Sequence, residues 1–167
     1  MIFLVSDTHF NHQKLTEIGV RPEGFTETII TNWRIIVAPT DTVIHLGDVI
    51  LGRNSELPDI MAKLPGTKIL CLGNHDGHAG WYEKRGFAIA VKHFQRGDIL
   101  YSHEPTIPLP TGIRYNVHGH LHLHNHHEYQ EQEYYVTHRD QYILIEIETT
   151  LAPIALSELQ KLKGMAT

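Results

Sequence analysis

MIFLVSDTH (residues 1–9) joins a continuous apolar run to the polar residues Asp7 and His9. A short apolar run that stops at polar side chains is typical of a buried strand. The same pattern returns at residues 41–46 and 67–72, each time followed by glycine and then Asp or Asn. We therefore predict three buried strands whose carboxyl ends carry polar side chains.

The rest of the chain alternates between the periods of helix and strand. Helices are predicted over residues 26–37, 56–64, 79–85 and from Ser157 onwards, where Ser157 and Gln160 form a capping-box pattern. Strands are predicted over residues 1–6, 41–46, 67–72, 87–91, 99–102, 115–119, 134–138 and 142–148. Loops are predicted over residues 11–24, 104–112 and 124–133. This alternation indicates an α/β layered fold. Since no repeat or linker divides the chain, we expect one domain over residues 1–167 without a cap domain.

Composition narrows the class of protein. The chain has 167 residues and a formal net charge of −5, which argues against sequence-blind nucleic-acid coating, so we expect no stable nucleic-acid partner. Cys71 is the single cysteine, which excludes an internal disulfide and fits a reducing compartment. The opening apolar run is too short for a signal peptide or a membrane span. We expect a cytoplasmic protein without a membrane partner.

Metal-capable side chains follow several of the predicted strands. Their blocks are Asp7-Thr8-His9, Gly47-Asp48, Gly73-Asn74-His75-Asp76, His103 and Gly119-His120-Leu121-His122. Ligands two residues apart on extended backbone point to the same side, and strand carboxyl ends in α/β sheets are where ligand crevices form. Oxygen and nitrogen ligands without thiolate suit ions such as Mn, Fe or Zn. The pattern therefore predicts a metal site.

These five blocks, in this order, resemble the signature of the calcineurin-like metallophosphoesterases. The surroundings of Asp7, together with Arg21-Pro22 and residues 41–48, resemble the small single-domain bacterial and phage branch of that superfamily. The resemblance runs from Met1 to about residue 123 and continues more weakly to Leu159. It implies a four-layer α/β/β/α sandwich with two mixed β-sheets and helices outside.

The resemblance also implies roles for individual residues. One divalent ion would be held by Asp7, His9, Asp48 and His122. A second ion would be held by Asp48, Asn74, His103 and His120, so that Asp48 bridges the two. His75 would act as the general acid, opposite a hydroxide that bridges the ions. The implied cofactors are two divalent metal ions, with Mn²⁺ favoured and Fe, Zn or Ni as alternatives.

The sequence departs from the calcineurin-type protein phosphatases at one position. Those enzymes carry an Asp three residues after the bridging Asp, which pairs with the His that matches His75. Here that position is Leu51, and the nearest Arg is Arg53. Protein dephosphorylation by that route is therefore not expected. The group that orients His75 is left open, with Asp76 as one candidate.

Other residues receive secondary assignments. His12, Arg53 and Asn74 are candidate contacts for the substrate phosphate, although a solvated loop is an equal reading for His12 and Arg53. His45 and Cys71 are predicted to be buried in the core. His118, His124, His126 and His127 are predicted to be exposed side chains beside the site.

Three functions remain open on sequence alone. The favoured one is hydrolysis of a phosphodiester, with a nucleotide-like phosphoester as substrate. The second is a phosphomonoesterase that acts on a nucleotide or small metabolite. The third is a metal-binding interaction module without catalysis. Oligomeric state is not predicted.

Overall fold

The computed structural model describes residues 1–122 and 133–163. Its strands are β1 (Ile2–Val5), β2 (Thr42–His45), β3 (Thr67–Cys71), β4 (Ile89–Val91), β5 (His93–Arg96), β6 (Ile99–Ser102), β7 (Tyr115–His118), β8 (Tyr142–Leu144) and β9 (Ile154–Ala155). Its α-helices are α1 (Gln13–Glu17), α2 (Phe25–Ile36), α3 (Leu57–Lys63), α4 (Ala79–Glu83), α5 (Glu133–Thr137) and α6 (Leu156–Lys163). Short 3-10 helices cover Asn54–Glu56, Arg139–Gln141 and Ile147–Thr149. None of the helices in these described ranges is long and apolar enough to cross a membrane.

The first sheet has five strands in the order β4-β3-β2-β1-β9. Its first four strands are parallel, and β9 runs antiparallel to β1. The register places Val5 beside His45, and His45 beside Leu70. Because parallel strands end at the same edge, the loops after β1, β2 and β3 leave the sheet together.

The second sheet has four strands in the order β5-β6-β7-β8. Strand β5 is antiparallel to β6, whereas β6, β7 and β8 are parallel. Ser102 lies beside His118, and the Gly119 N–H donates to the His103 carbonyl at 2.9 Å. The segments that carry His103 and His120 therefore leave this sheet side by side.

The two sheets face each other across an apolar layer. Leu4, Ile44 and Cys71 of the first sheet pack in one cluster with Tyr101 and Val117 of the second. All five are almost fully buried. Strands covered on both faces need apolar side chains on both, which explains the continuous apolar runs in the sequence.

Helices cover the outer face of the first sheet. Phe3 and Val43, which alternate with the inward residues, join Ile29 and Trp33 of α2 and Ile60 of α3 in a second apolar cluster. The predicted two mixed sheets with helices are thus confirmed, in the mixed α/β arrangement that the resemblance implies.

The predicted strand over residues 134–138 is wrong, because this segment is helix α5. Aromatic and β-branched residues favour strands only weakly, and packing decides between the two states. In α5 only Tyr135 is buried, against Tyr142, while 50% of Val136 is exposed. One buried side chain in five fits a short surface helix rather than a strand of the sheet.

Smaller differences concern the ends of elements. The predicted strand over residues 142–148 is confirmed only as far as Leu144, and a 3-10 helix follows it. The predicted loop over residues 11–24 contains the short helix α1. Strand β5 was not predicted, since its four residues are mostly polar and exposed.

Candidate metal centre

The loops after β1 and β2 are tied to each other beyond the sheet. The Asp7 N–H donates to the Gly47 carbonyl at 2.9 Å, and the His9 N–H donates to the Asp48 carbonyl at 3.0 Å. Parallel pairing thus continues along the polar loops, which brings the side chains of Asp7, His9 and Asp48 to one place.

The candidate ligands have unusual backbone conformations. Asp7, His9, Asp48 and His120 have φ angles of 51°, 42°, 56° and 69°. Such left-handed conformations are uncommon for residues other than glycine, and they cluster at functional sites where surrounding structure maintains them. Here they turn the backbone sharply at the strand ends, so that neighbouring loops present their side chains to a common centre.

Gly73 and Gly119 are required because a larger residue would overlap neighbouring atoms, and their φ angles do not themselves demand glycine. A Cβ on Gly73 would lie 2.5 Å from the Asp48 backbone nitrogen and would overlap the Asp48 carboxylate. A Cβ on Gly119 would lie 2.6 Å from Asp7 Oδ2 and would overlap Ser6 Oγ. Both positions therefore allow a loop of one strand to approach the carboxylate of another.

One group of side chains consists of Asp7, His9, Asp48 and His122. The His9 Nε2 atom lies 3.4 Å from His122 Nε2 and 3.6 Å from Asp48 Oδ2. The Asp7 Oδ1 atom lies 3.6 Å from His122 Nε2 and 4.0 Å from His9 Nε2. Four atoms from three different loops thus face a common point.

A second group consists of Asp48, Asn74, His103 and His120. The His103 Nε2 atom lies 2.8 Å from Asn74 Oδ1, 3.1 Å from His120 Nδ1 and 3.6 Å from Asp48 Oδ2. The Asn74 Oδ1 atom lies 3.1 Å from His120 Nδ1. The two groups meet at Asp48 Oδ2, which is 3.6 Å from a histidine nitrogen of each.

These donor sets fit divalent cations. Within the described residues, the buried atom Asp7 Oδ1 has no hydrogen-bond partner, which is costly for a carboxylate unless a cation faces it. Asp7 with His9 and His122, and Asp7 with Asp48 and His103, each place three ligand atoms within 4.8 Å of one another. Carboxylate oxygen and imidazole nitrogen are ligands for Mn, Fe, Ni and Zn.

The protonation states agree with a metal centre. Burial, followed by the charge of Arg21, lowers the pKa of His9 to about 2, so its imidazole is neutral and keeps a lone pair. Burial, with the nearby charge of Asp7, raises the pKa of Asp48 although His103 opposes this effect. A buried carboxylate whose negative charge is poorly compensated is one that a bound cation stabilises.

His75 and His12 lie beside the first group rather than within it. The ring centroid of His9 is 6.0 Å from that of His75 and 5.6 Å from that of His12. His75 is exposed, and its backbone N–H donates to Asp48 Oδ1 at 3.0 Å. The imidazole of His75 therefore borders the centre from the solvent side, whereas that of His12 is half-buried beside His9.

The candidate phosphate contacts differ in their placement. Asn74 is exposed and belongs to the second group. The side chain of Arg53 is 72% exposed and lies 3.4 Å from the Glu56 carboxylate. Together with Asn11 and Glu17, Arg53 lines a cavity of about 400 Å³ that none of the candidate metal ligands borders. The structure therefore does not bring Arg53 together with the metal-capable residues.

Asp76 supports the loops instead of the ring of His75. Its Oδ2 accepts the N–H groups of Asp48 and Gly73, both at 2.8 Å. Its Oδ1 accepts the Val49 N–H at 3.0 Å and the Tyr82 hydroxyl at 2.7 Å. One carboxylate thus joins the loop after β2 to the loop after β3 and binds the backbone of the candidate ligand Asp48.

The remaining histidine and cysteine predictions have mixed outcomes. The predicted burial of His45 and Cys71 is confirmed. The predicted exposure of His118 is wrong, because the side chain is fully buried, with its Nδ1 2.9 Å from the Gly119 carbonyl and its Nε2 3.3 Å from the Tyr135 hydroxyl. Burial lowers its pKa to about 4. His124, His126 and His127 lie outside the described residues.

Two buried residues of the site were given no role by sequence reasoning. Arg21 and Glu148 lie 2.7 Å apart behind His122. Burial alone would raise the pKa of Glu148, but hydrogen bonds from His122 and Arg21 lower it to about 2. Arg21 belongs to a quoted motif, whereas no pattern in the sequence marks Glu148.

Comparison with known proteins shows the family of this chain. Residues 1–156 match the model of the calcineurin-like phosphoesterases. The chain therefore belongs to the calcineurin-like phosphoesterase family, as its resemblance predicted.

Particular relatives are similar over part or all of the chain. An uncharacterized protein of Methanocaldococcus jannaschii is 38% identical over 81 residues, which are 45% of this chain and 46% of that protein. The Gene 66 protein of Mycobacterium phage L5 is 35% identical over 81 residues, 45% of this chain and 39% of that protein. The match thus spans less than half the length of these curated relatives. A crystal structure of a protein of unknown function from Aquifex aeolicus has a TM-score of 0.77 and 30% identity, covering 97% of this chain and 98% of that one.

Proposed function

We propose that the protein hydrolyses phosphodiesters with the help of two divalent metal ions, with Mn²⁺ as the first choice. The observation that carries this proposal is the pair of donor groups that share Asp48 Oδ2, which lies 3.6 Å from His9 Nε2 and 3.6 Å from His103 Nε2. Bound divalent ions would polarise phosphoryl oxygens and lower the pKa of water, which supplies hydroxide near neutral pH.

Residues of the chain would bind the two ions, donate a proton and contact the phosphate. Asp7, His9, Asp48 and His122 would hold one ion, and Asn74, His103 and His120 would complete the set around the other. His75 lies on the exposed side of the first group, where its imidazole can donate a proton to the leaving oxygen. His12, whose ring also lies beside that of His9, would contact the phosphate.

A cavity beside the second group supports an ester with a sizeable second substituent. The cavity measures about 370 Å³ and is bordered by Asn74 and His103. Lys92, Glu104 and Thr106 also line it, so the cavity offers a cationic, an anionic and a neutral hydrogen-bonding side chain. That size and lining suit a nucleoside-like group attached to the phosphorus.

The placement of Arg21 and Arg53 favours a singly charged diester over a doubly charged monoester. The two terminal nitrogens of Arg21 donate to backbone carbonyls and to Glu148, and its side chain is 0% exposed, whereas Arg53 lies beside Glu56. Neither guanidinium of these two is offered to a phosphate at the centre. A monoester dianion would require more positive charge from the chain than a diester does.

Turnover of bis-p-nitrophenyl phosphate and of p-nitrophenyl phosphate by metal-stripped protein reloaded with Mn²⁺ tests the proposal. We expect diester hydrolysis that a chelator abolishes. A strong preference for the monoester would replace the diesterase by a phosphomonoesterase. Stoichiometric metal uptake without turnover with Mn, Fe, Zn or Ni would identify a metal-binding interaction module.

The role of His75 as general acid can be tested separately with two leaving groups. Because p-nitrophenolate leaves readily without a proton, H75A should slow its release less than the release of a nucleoside alkoxide from a dinucleotide. For the alkoxide we expect a loss of about 10²- to 10⁴-fold in kcat. H78A, which changes another exposed histidine three residues away, is the matched control. Equal losses for both leaving groups would exclude the role.

A further inference from the structure

Glu148 connects His122 to Arg21 behind the metal-capable side chains. A single carboxylate oxygen, Oε1, lies 2.8 Å from His122 Nδ1 and 2.7 Å from Arg21 Nη2. The side chains of Glu148 and Arg21 are 5% and 0% exposed. A buried ion pair of this kind is costly to desolvate and persists only with close hydrogen bonding. Stability alone is therefore a weak explanation for its presence at this site.

The contact with Glu148 determines which nitrogen of His122 carries the proton. An ionised carboxylate offers only acceptors, so His122 must donate to it from Nδ1. The lone pair of a neutral ring then lies on Nε2, the atom that is 3.6 Å from Asp7 Oδ1 and 3.4 Å from His9 Nε2. Glu148 thus turns the unprotonated nitrogen of His122 toward the candidate ligands.

The side chain of Arg21 binds the backbone of the loop that follows β1. Its Nη1 donates to the Thr8 carbonyl at 2.6 Å, and its Nη2 donates to the Asp7 carbonyl at 2.5 Å. Asp7 and His9, on either side of Thr8, both have left-handed φ angles. Such angles persist only where other contacts maintain them. The planar guanidinium of Arg21 therefore holds the turn in which Asp7 and His9 direct their side chains toward the other candidate ligands.

We propose that Arg21 and Glu148 are positioning residues that set the metal affinity of the group formed by Asp7, His9 and His122. The inference rests on the proposed metal-dependent function. The other group is supported differently, because His103 Nδ1 lies 2.7 Å from the neutral Leu46 carbonyl. A carboxylate behind a histidine makes it a stronger ligand than a carbonyl does. The two ion positions are therefore unequal, and only one depends on Glu148.

Calorimetric titration of the metal-stripped protein with Mn²⁺ tests this inference in the full chain. The variants are E148Q, R21K and the matched control E158Q, which makes the same change on an exposed residue of α6. In E148Q and R21K we expect one Mn²⁺ to bind about 10- to 100-fold more weakly, with the other ion and the E158Q control unchanged. Circular dichroism identifies any variant that does not fold.

A second measurement leaves Arg21 and Glu148 unchanged. Long-range ¹H–¹⁵N correlation spectra of the metal-stripped wild type, assigned with H122N, report which nitrogen of His122 carries its proton. At alkaline pH, where the His122 ring is neutral, we expect the Nδ1–H tautomer. Detection of the Nε2–H tautomer, or equal weakening of both Mn²⁺ sites in E148Q, would overturn the inference. If wild-type protein binds no Mn²⁺, Fe, Zn or Ni, the proposed function itself fails. Two-ion binding that E148Q leaves unchanged rejects the positioning role alone.

Discussion

Replacing Asp76 by asparagine should destabilise the protein and weaken metal binding together. The carboxylate of Asp76 accepts N–H groups from Asp48, Val49 and Gly73 and the hydroxyl of Tyr82. Asparagine has one acceptor oxygen instead of two. Its best orientation keeps that oxygen on the Asp48 and Gly73 donors and leaves the Val49 N–H facing an NH₂ group, while the Tyr82 hydroxyl turns to accept.

The magnitude follows from these bonds. An unpaired donor costs about 1 to 3 kcal/mol, and a hydrogen bond to a charged acceptor contributes about 1.5 to 3 kcal/mol. D76N leaves one donor unpaired and removes the charge from the two bonds it keeps. We expect the free energy of unfolding to fall by about 3 to 5 kcal/mol. Because the loop that carries Asp48 is then less firmly held, Mn²⁺ affinity should fall as well.

Urea unfolding of the metal-free protein measures the stability change, and calorimetry measures the Mn²⁺ affinity. Y82F is the matched control, because it removes only one of the four hydrogen bonds and should cost about 1 to 2 kcal/mol. An unfolding free energy for D76N within about 0.5 kcal/mol of the wild type would refute the reasoning, since that is the range of surface substitutions without a structural role.

Three further predictions concern the substitution of Gly119, the pH dependence of stability and stabilisation by bound Mn²⁺. G119A should abolish high-affinity Mn²⁺ binding, measured by calorimetry, because the added Cβ would lie 2.6 Å from Asp7 Oδ2; unchanged affinity would show that the loops can separate. Burial lowers the folded pKa of His45 to about 4, whereas the unfolded chain takes up that proton near 6.5. The contribution of His45 to the free energy of unfolding should therefore be full above about pH 6.5 and should fall by about 3 kcal/mol as the pH drops to about 4. His118 and His9, whose pKa values burial also lowers, add losses of the same sign. In urea unfolding across this pH range, H45Q should lose less stability than the wild type. Adding Mn²⁺ at about 100 times its Kd should raise the unfolding free energy by about 2.7 kcal/mol per ion, and a chelator should reverse the gain.

The elements nearest the centre were the most predictable from sequence. Strands β1, β2 and β3 are covered on both faces, so their apolar runs stand out from the polar residues that follow them. Since parallel strands end at a common edge, the sequence also indicated that Asp7, Asp48 and Asn74 would lie close together. Their distances to the histidines agree with that expectation.

The failures occur where packing outweighs local preference. Tyr134-Tyr135-Val136 has the composition of a strand, yet the segment is helix α5, with Tyr135 alone packed inside. The prediction that His118 is an exposed side chain beside the site is also wrong. His118 is buried beside Tyr135, because β7 is a central strand whose side chains meet both neighbouring layers.

What the sequence by itself determined is the set of candidate metal ligands, the strands that precede most of them and the family to which the chain belongs. These depend on local order: apolar runs, the glycines that follow them, and the spacing of Asp, Asn and His. Only the tertiary structure decided how those ligands are held. Asp76 joins two loops, and Glu148 meets Arg21 and His122 across separations of 127 and 26 residues. Such contacts exist only after both sheets have closed around the core, and no periodicity in the chain anticipates them.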